Sequence, residues 1–153
     1  MPANATEWSC VQDNHTGLMW EVKTDDGGLR DKDNVYTWYN TDATTNGGFE
    51  GYANNGNNTQ AFVVAVNAQG LCGYKDWYLP DVEELRSIVN YGKYNPAIDL
   101  AYFSNIHGDW YWSSTRAAYN GGSAWLVRFD DGDDGFYDDN SYDAYVRLVR
   151  SDQ

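Results

Sequence analysis

"DWYWSSTRAAYNGGSAWLVRFDDGDDGFYDDNSYDAYVRLVR", Asp109 to Arg150, decides how the fold is read. Three runs rich in aromatic and β-branched residues stand out: "DWYWSST" (109–115), "SAWLVRF" (123–129) and "AYVRLVR" (144–150). Glycine, asparagine, aspartate and serine separate them, and these residues favour turns. In the second run Trp125, Val127 and Phe129 alternate with Leu126 and Arg128. In the third, Val146 and Leu148 alternate with Tyr145, Arg147 and Val149. A period of two predicts strands, because successive side chains leave a strand on opposite faces. The last third therefore reads as an antiparallel sheet joined by polar turns.

Upstream the period changes. "NTQAFVVAVNAQG" places alanine, valine and phenylalanine at helical spacing, which predicts a helix over Thr59 to Gln69 with Gly70 as its stop. "DWYLPDVEELRSIVNYG" predicts a second helix: Asp81 and Glu84 stand at capping-box spacing, and Val82, Leu85, Ile88 and Val89 form its apolar stripe before Gly92. "WSCVQDNHTGLMWEVKT" (8–24) predicts two short strands around a turn at Asn14 to Gly17, with Trp8, Cys10, Leu18 and Trp20 facing inward. Residues 25–58 are polar and irregular around "VYTWYN", and a loop of that length in a compact domain usually has a role. Helices in the first half and a closing antiparallel sheet make the chain α+β, with residues 1–153 expected to form one domain.

Composition narrows the partners. The net charge of -13 repels phosphate backbones, anionic membranes and sulfated sugars, while neutral or cationic ligands and divalent metals remain compatible. No apolar run is long enough to span a bilayer. The opening "MPANATEWSC" lacks the basic and apolar regions of a secretory signal, as expected of an excised exported domain or of a complete chain. Cys10 and Cys72 are read as one long-range disulfide worth about 2–4 kcal/mol in an oxidising compartment, with two buried thiols as the alternative.

The stretch "FDDGDDGFYDDN" (129–140) holds six aspartates and first suggests calcium. An EF-hand register starting at Asp130 fails, because Gly132 interrupts the oxygen ligands and Ser141 occupies the place of the bidentate glutamate. A calcium site of another geometry through Asp131, Asp133 and Asp134 stays open, against an exposed acidic turn; no cofactor is expected otherwise. His15 and His107 lack zinc-ligand spacing and are expected to be solvated. Lys75 beside Asp76 reads as a surface ion pair. There is no nucleophile elbow and no phosphate loop, and no carboxylate pair can be singled out, so the chain is not expected to be an enzyme. Between Arg116 and Ala144 the chain is built from Tyr, Asn, Asp, Ser, Gly and Ala, with Trp125 and Phe136 as large groups. Tyrosine brings contact area with few rotors to freeze, so this composition suits a binding face and, equally, ordinary turns.

Taken in order, "DNHTGLMWEV", "GYKDWYLPDVEELRSIV", "NPAID", "YWSST", "AWLVRF" and "YVRLVR" resemble the Lcl C-terminal domain family, named from a bacterial collagen-like adhesin. The resemblance covers nearly the whole chain. It implies a C-type-lectin-like fold, a bacterial or phage origin, an exported or cell-surface setting or a phage particle, and a trimeric tendency. Two departures are visible. Tyr78 stands in "DWYLP" where the family usually has arginine, and the strong negative charge argues against the sulfated polysaccharides linked to the adhesin. The Glu-Pro-Asn and Trp-Asn-Asp motifs of calcium-dependent lectins are absent, so the fold does not carry lectin activity with it.

The same family houses variable proteins of diversity-generating retroelements, in which adenines of a template are rewritten. Codons of the form A-A-pyrimidine reach Asn, Asp, Tyr, Ser, Gly, Ala, Arg and Phe but never Lys, Glu, Gln, Met or Trp. From Ser113 to Arg147 there is no Lys, Glu, Gln or Met, and Trp125 is the one tryptophan. Elsewhere those four types occur roughly once in eight residues, so about four are expected there by chance. A diversified binding surface over about 113–147 follows as the expectation. Its ligand-binding residues are Arg116, Tyr119, Asn120, Asp131, Asp133, Asp134, Phe136, Tyr137, Asp138, Asn140, Tyr142 and Asp143, with Trp110, Trp112, Trp125 and Leu148 as framework. The partner is expected to be a protein or cell-surface macromolecule, not nucleic acid, with no direct membrane insertion. A fixed adhesin domain for a glycan or host protein, and a calcium-dependent module, are the alternatives.

Overall fold

A computed structural model describes residues 9–48, 50–100, 102–103, 105–116, 124–136 and 143–151. Among these residues two α-helices and two three-stranded antiparallel sheets make it α+β. The N-terminal hairpin pairs β1 (Cys10–Asp13) with β2 (Leu18–Glu21), in register from Cys10 opposite Glu21 to Asp13 opposite Leu18. Its turn closes on Asp13, whose Oδ1 accepts from the His15 amide at 2.9 Å. Trp20 is fully buried and Cys10 and Leu18 partly so, while Trp8 lies outside the described residues.

Helix α1 (Thr59–Gln69) has the expected bounds for local reasons. Asn58 Oδ1 accepts from the Ala61 amide at 2.8 Å at one end, and Gly70 turns left-handed at φ 68° at the other. Helix α2 (Val82–Arg86) carries the expected capping box: the Glu84 amide donates to Asp81 Oδ1 at 2.7 Å and the Asp81 amide to Glu84 Oε1 at 3.0 Å. It is shorter than its sequence pattern. It stops at Arg86, and past its cap the Asn90 amide donates to the Ala97 carbonyl at 2.7 Å, although Ile88 still packs inward as the stripe requires. The disulfide forms between Cys10 and Cys72, 62 positions apart, and ties β1 to the turn beyond α1.

The second sheet orders β3 (Trp110–Arg116), β4 (Ala124–Arg128) and β5 (Asp134–Phe136) side by side. Strand β5 lies inside the acidic stretch, whose composition reads as turn throughout. Two apolar clusters cover the two faces of this sheet. Trp112, Ala124 and Leu126 pack with Trp38, Phe62 and Val66; Tyr111, Val127 and Phe129 pack with Trp20, Leu85 and Ile98. Alternation along the strands thus separates one core from another, not core from solvent. Indole donors fix the layers, with Trp38 Nε1 donating to the Ser113 carbonyl at 3.1 Å and Trp112 Nε1 to the Tyr36 carbonyl at 2.7 Å.

The third expected strand is largely something else. Ladder pairing is confined to β6 (Val149–Ser151), which joins β2 in the first sheet, while Ala144 and Tyr145 make isolated bridges to Tyr36 and Tyr111. Val146, Arg147, Leu148 and Val149 are all fully buried, because the segment passes between both clusters. Asp76, read from sequence as the partner of Lys75, instead accepts from Arg150 Nε at 2.7 Å and Nη2 at 3.2 Å.

Burying Arg147 requires compensation, and β2 supplies it. Glu21, with no exposed surface, accepts from Lys23 Nζ at 3.1 Å through Oε2 and from the Leu148 amide at 3.1 Å through Oε1, and its carbonyl accepts from Arg147 Nη1 at 2.5 Å. The Arg147 guanidinium lies 5.0 Å from the Phe103 ring centre and the Lys23 ammonium 4.4 Å from that of Phe62. Burial pulls the Lys23 ammonium below the usual lysine range, against the opposing pull of Glu21.

Removing one partner of a buried ion pair leaves the other charged and desolvated. Glu21→Ala is therefore expected to lower unfolding stability in urea by about 3–5 kcal/mol. A loss under about 1 kcal/mol, the scale of a surface pair, would show that the cluster does not hold the fold.

Candidate functional site

The β3–β4–β5 sheet has two ends, and of the expected ligand-binding residues that are described Arg116 is at one and Asp131, Asp133 and Asp134 are at the other. At the first end Arg116 pairs with Ala124 and Trp125 with Phe136. At the other, Trp110 pairs with Arg128 and the chain turns from β4 into β5 through residues 130–133. Tyr119, Asn120, Tyr137, Asp138, Asn140 and Tyr142 lie outside the described residues, and only the backbone of Phe136 is described.

The acidic turn is built more firmly than its composition suggests. The Gly132 amide donates to the Arg128 carbonyl at 2.8 Å, and the Arg128 amide to the Asp133 carbonyl at 2.7 Å. Arg128 Nη2 donates to Asp131 Oδ2 at 2.6 Å, and the Asp133 amide donates to Asp131 Oδ1 at 3.0 Å. Arg86 on α2 forms an ion pair with Asp134. Gly132 sits at φ 83°, and a Cβ there would come within 2.6 Å of Val89 Cγ1 and 2.8 Å of Tyr91 Cε1. The position favours glycine for both reasons. Asp131 and Asp134 thus commit their charge to the turn and to α2, while Asp133 and, ahead of the Tyr36–Ala144 bridge, Asp143 are exposed.

These carboxylates do not fit a calcium site, since Asp131 and Asp134 turn to different arginines. Among the described residues one acidic group does converge, Asp25, Asp31 and Asp33, with oxygens within 4.8 Å of one another. Its members are already engaged. Asp31 Oδ2 accepts from the amides of Asp26 and Gly27 at 2.9 and 2.7 Å, and Lys32 Nζ lies 2.9 Å from Asp33 Oδ1 and 3.7 Å from Asp25 Oδ1. His107, expected to be solvated, is half-buried: its ring stacks on Tyr145 at 4.8 Å and its Nε2 lies 2.5 Å from Asp33 Oδ1. His15 is exposed as expected.

At the opposite end Arg116 lays its guanidinium on Trp38, 4.4 Å from the ring centre, and partial burial pulls its pKa down. Beside it opens a cleft of about 510 Å³ between the Trp38–Asn40 segment, the first turns of α1, Tyr78 and Leu79, and Ser114 and Thr115 of β3. Sequence reasoning does not reach this cleft. Its walls come from segments far apart in the chain, and although "DWYLP" and "YWSST" hold Tyr78, Leu79, Ser114 and Thr115, neither run says that these residues meet Trp38, Thr45 and Gln60.

A family model described as Lcl C-terminal domain matches residues 9–150. Comparison with curated proteins and with solved structures returns no match.

The turn geometry yields two expectations. Gly132→Ala is expected to lose about 1–3 kcal/mol in thermal or urea unfolding, because the added methyl overpacks Val89 and Tyr91. The hydrogen bond from Arg128 holds the Asp131 carboxyl below the usual aspartate range. A depressed carboxyl stabilises the fold above the ordinary aspartate pKa, and that contribution fades as pH falls through the lowered value. Side-chain NMR titration should place Asp131 below ordinary aspartate and move it upward in Arg128→Gln; an unchanged titration would remove Arg128 as the cause.

Proposed function

The chain belongs to the Lcl C-terminal domain family, and on that premise we propose that it is a non-enzymatic binding domain, the variable protein of a diversity-generating retroelement. Side chains at the ends of the β3–β4–β5 sheet grip a protein or other cell-surface macromolecule, and the domain works outside the cell, on a bacterial surface or a phage particle, in a C-type-lectin-like fold. The observation that carries this reading is a division of labour within residues 113–147. Ala124, Leu126, Val127, Ala144 and Val146 are buried, whereas Asp133 and Asp143 are exposed and Arg116 and Asp134 half-buried. The same span holds no Lys, Glu, Gln or Met. A rigid scaffold lowers the ordering cost of binding, so side chains on it can change without new folding costs. The disulfide between Cys10 and Cys72 suits an oxidising, exported setting.

Substitutions within the set reachable by adenine change, such as Asp133→Tyr and Asp143→Asn, are expected to shift stability by no more than about 0.5 kcal/mol. Leu126→Ala in the same span is expected to lose about 2–5 kcal/mol. Sequencing of clonal relatives should find differences concentrated at the named positions, with a reverse transcriptase and an imperfect template repeat in the flanking DNA. Differences spread evenly along the chain would favour a fixed adhesin domain instead.

A further inference from the structure

We infer that the cleft beside Trp38 is a second binding site, for one uncharged, polyhydroxylated ring, the chemistry of a neutral pyranose. Its size falls in the range of small-ligand pockets, which run to roughly 300–1,000 Å³. Among the described residues no aspartate, glutamate, lysine or arginine lines it, although the chain as a whole carries a net charge of -13. Arg116 lies on the Trp38 ring and is not part of that lining, so a charged ligand would find no counter-ion among the described lining residues, and burying an unpaired charge is costly. Apolar surface and neutral hydrogen-bonding groups share the lining, and a sugar ring presents the matching pair, C–H faces and a rim of hydroxyls.

The hydrogen-bonding groups are positioned before any ligand arrives. Gln60 Oε1 accepts from the Thr41 amide at 2.8 Å and from its hydroxyl at 3.1 Å. This leaves the Gln60 amino group, which makes no hydrogen bond among the described residues, to donate elsewhere. Ser114 is fixed through its backbone, whose amide donates to the Pro80 carbonyl at 2.8 Å, and its hydroxyl likewise has no bond among the described residues. Tyr78 donates to Glu84 at 2.6 Å, and burial pushes its phenol well above the usual tyrosine range, so that wall stays neutral. Val63 and Leu79 supply the aliphatic surface. Gln60 and Val63 stand on α1 and Ser114 and Thr115 on β3, elements that hold polar groups more rigidly than loops do, while the Trp38–Asn40 segment, Thr45, Tyr78 and Leu79 complete the walls. The site is separate from the acidic turn at the far end of the sheet, so each can be present without the other.

The test is an amide NMR titration of the intact chain with methyl α-mannopyranoside, methyl β-galactopyranoside and methyl N-acetyl-β-glucosaminide, using the methyl glycoside of N-acetylneuraminic acid as the anionic comparison. At least one uncharged glycoside should shift the amides of Gln60, Val63, Ser114 and Thr115 saturably, and the anionic one should not. Ser114→Ala should weaken that binding about tenfold, the scale of one lost hydrogen bond. Gln60→Glu keeps the acceptor for Thr41 while removing the donors, and should weaken it comparably in a chain whose remaining amide spectrum is unchanged. The inference is overturned if none of the uncharged glycosides moves those amides, if the anionic glycoside binds as tightly, or if both folded variants bind like the parent.

Discussion

The carboxylate of Glu21 is the group on which the arrangement of the chain depends. It lies on β2 with no exposed surface and accepts from Lys23 and from the backbone of Leu148, while the carbonyl of the same residue holds Arg147. A bare carboxylate in such a place would be prohibitively desolvated, so its partners must arrive together with it. That requirement brings residues 126 and 127 positions away in sequence against the first hairpin. Once they are there, β6 pairs with β2, and the segment before it can run between the two apolar clusters.

That passage makes β3–β4–β5 an inner sheet covered on both faces, and this limits where the molecule can vary. A residue in the middle of β4 meets one core or the other: Leu126 faces the cluster around Trp38 and Val127 the cluster around Trp20. Tolerance is left to the ends of the strands. The two ends are themselves unlike. One is a turn braced by arginines and by a glycine against Val89 and Tyr91, and the other borders a cleft lined among the described residues by uncharged side chains, with Arg116 stacked on Trp38.

What can be read from the sequence follows the range of the forces concerned. The caps of α1 and the box at Asp81 and Glu84 involve residues within three or four positions, so their signals sit inside one window of sequence. The alternation in "SAWLVRF" is legible as strand, but period two cannot say whether the second face meets water or another core. Beyond α2 the chain has left the helix and Asn90 pairs with Ala97, a bond that no helical pattern contains. His107 finds Asp33 from 74 positions away, and Asp76 finds Arg150 from the same separation, so composition alone makes both look like surface. The positions proposed for ligand contact come from the family resemblance and the codon argument drawn from it, whereas the separation of the described ones, Arg116 from Asp131, Asp133 and Asp134, is a matter of topology.

The pairing of β1, β2 and β6 has a mechanical consequence. β1 and β6 each run antiparallel to the β2 between them, so they are parallel to one another: the described chain enters the sheet at Cys10, opposite Glu21, and leaves it at Ser151, opposite Leu18. Tension applied through those two points drives the outer strands past the middle one along their length. Hydrogen bonds across both ladders then resist together in shear, where a peeling geometry would break them one at a time. The bond from Cys10 to Cys72 passes part of that tension directly into the turn after α1, and it prevents the 62 positions between them from running out as slack. Under force such a domain yields at a rate governed by its unfolding barrier more than by its equilibrium stability.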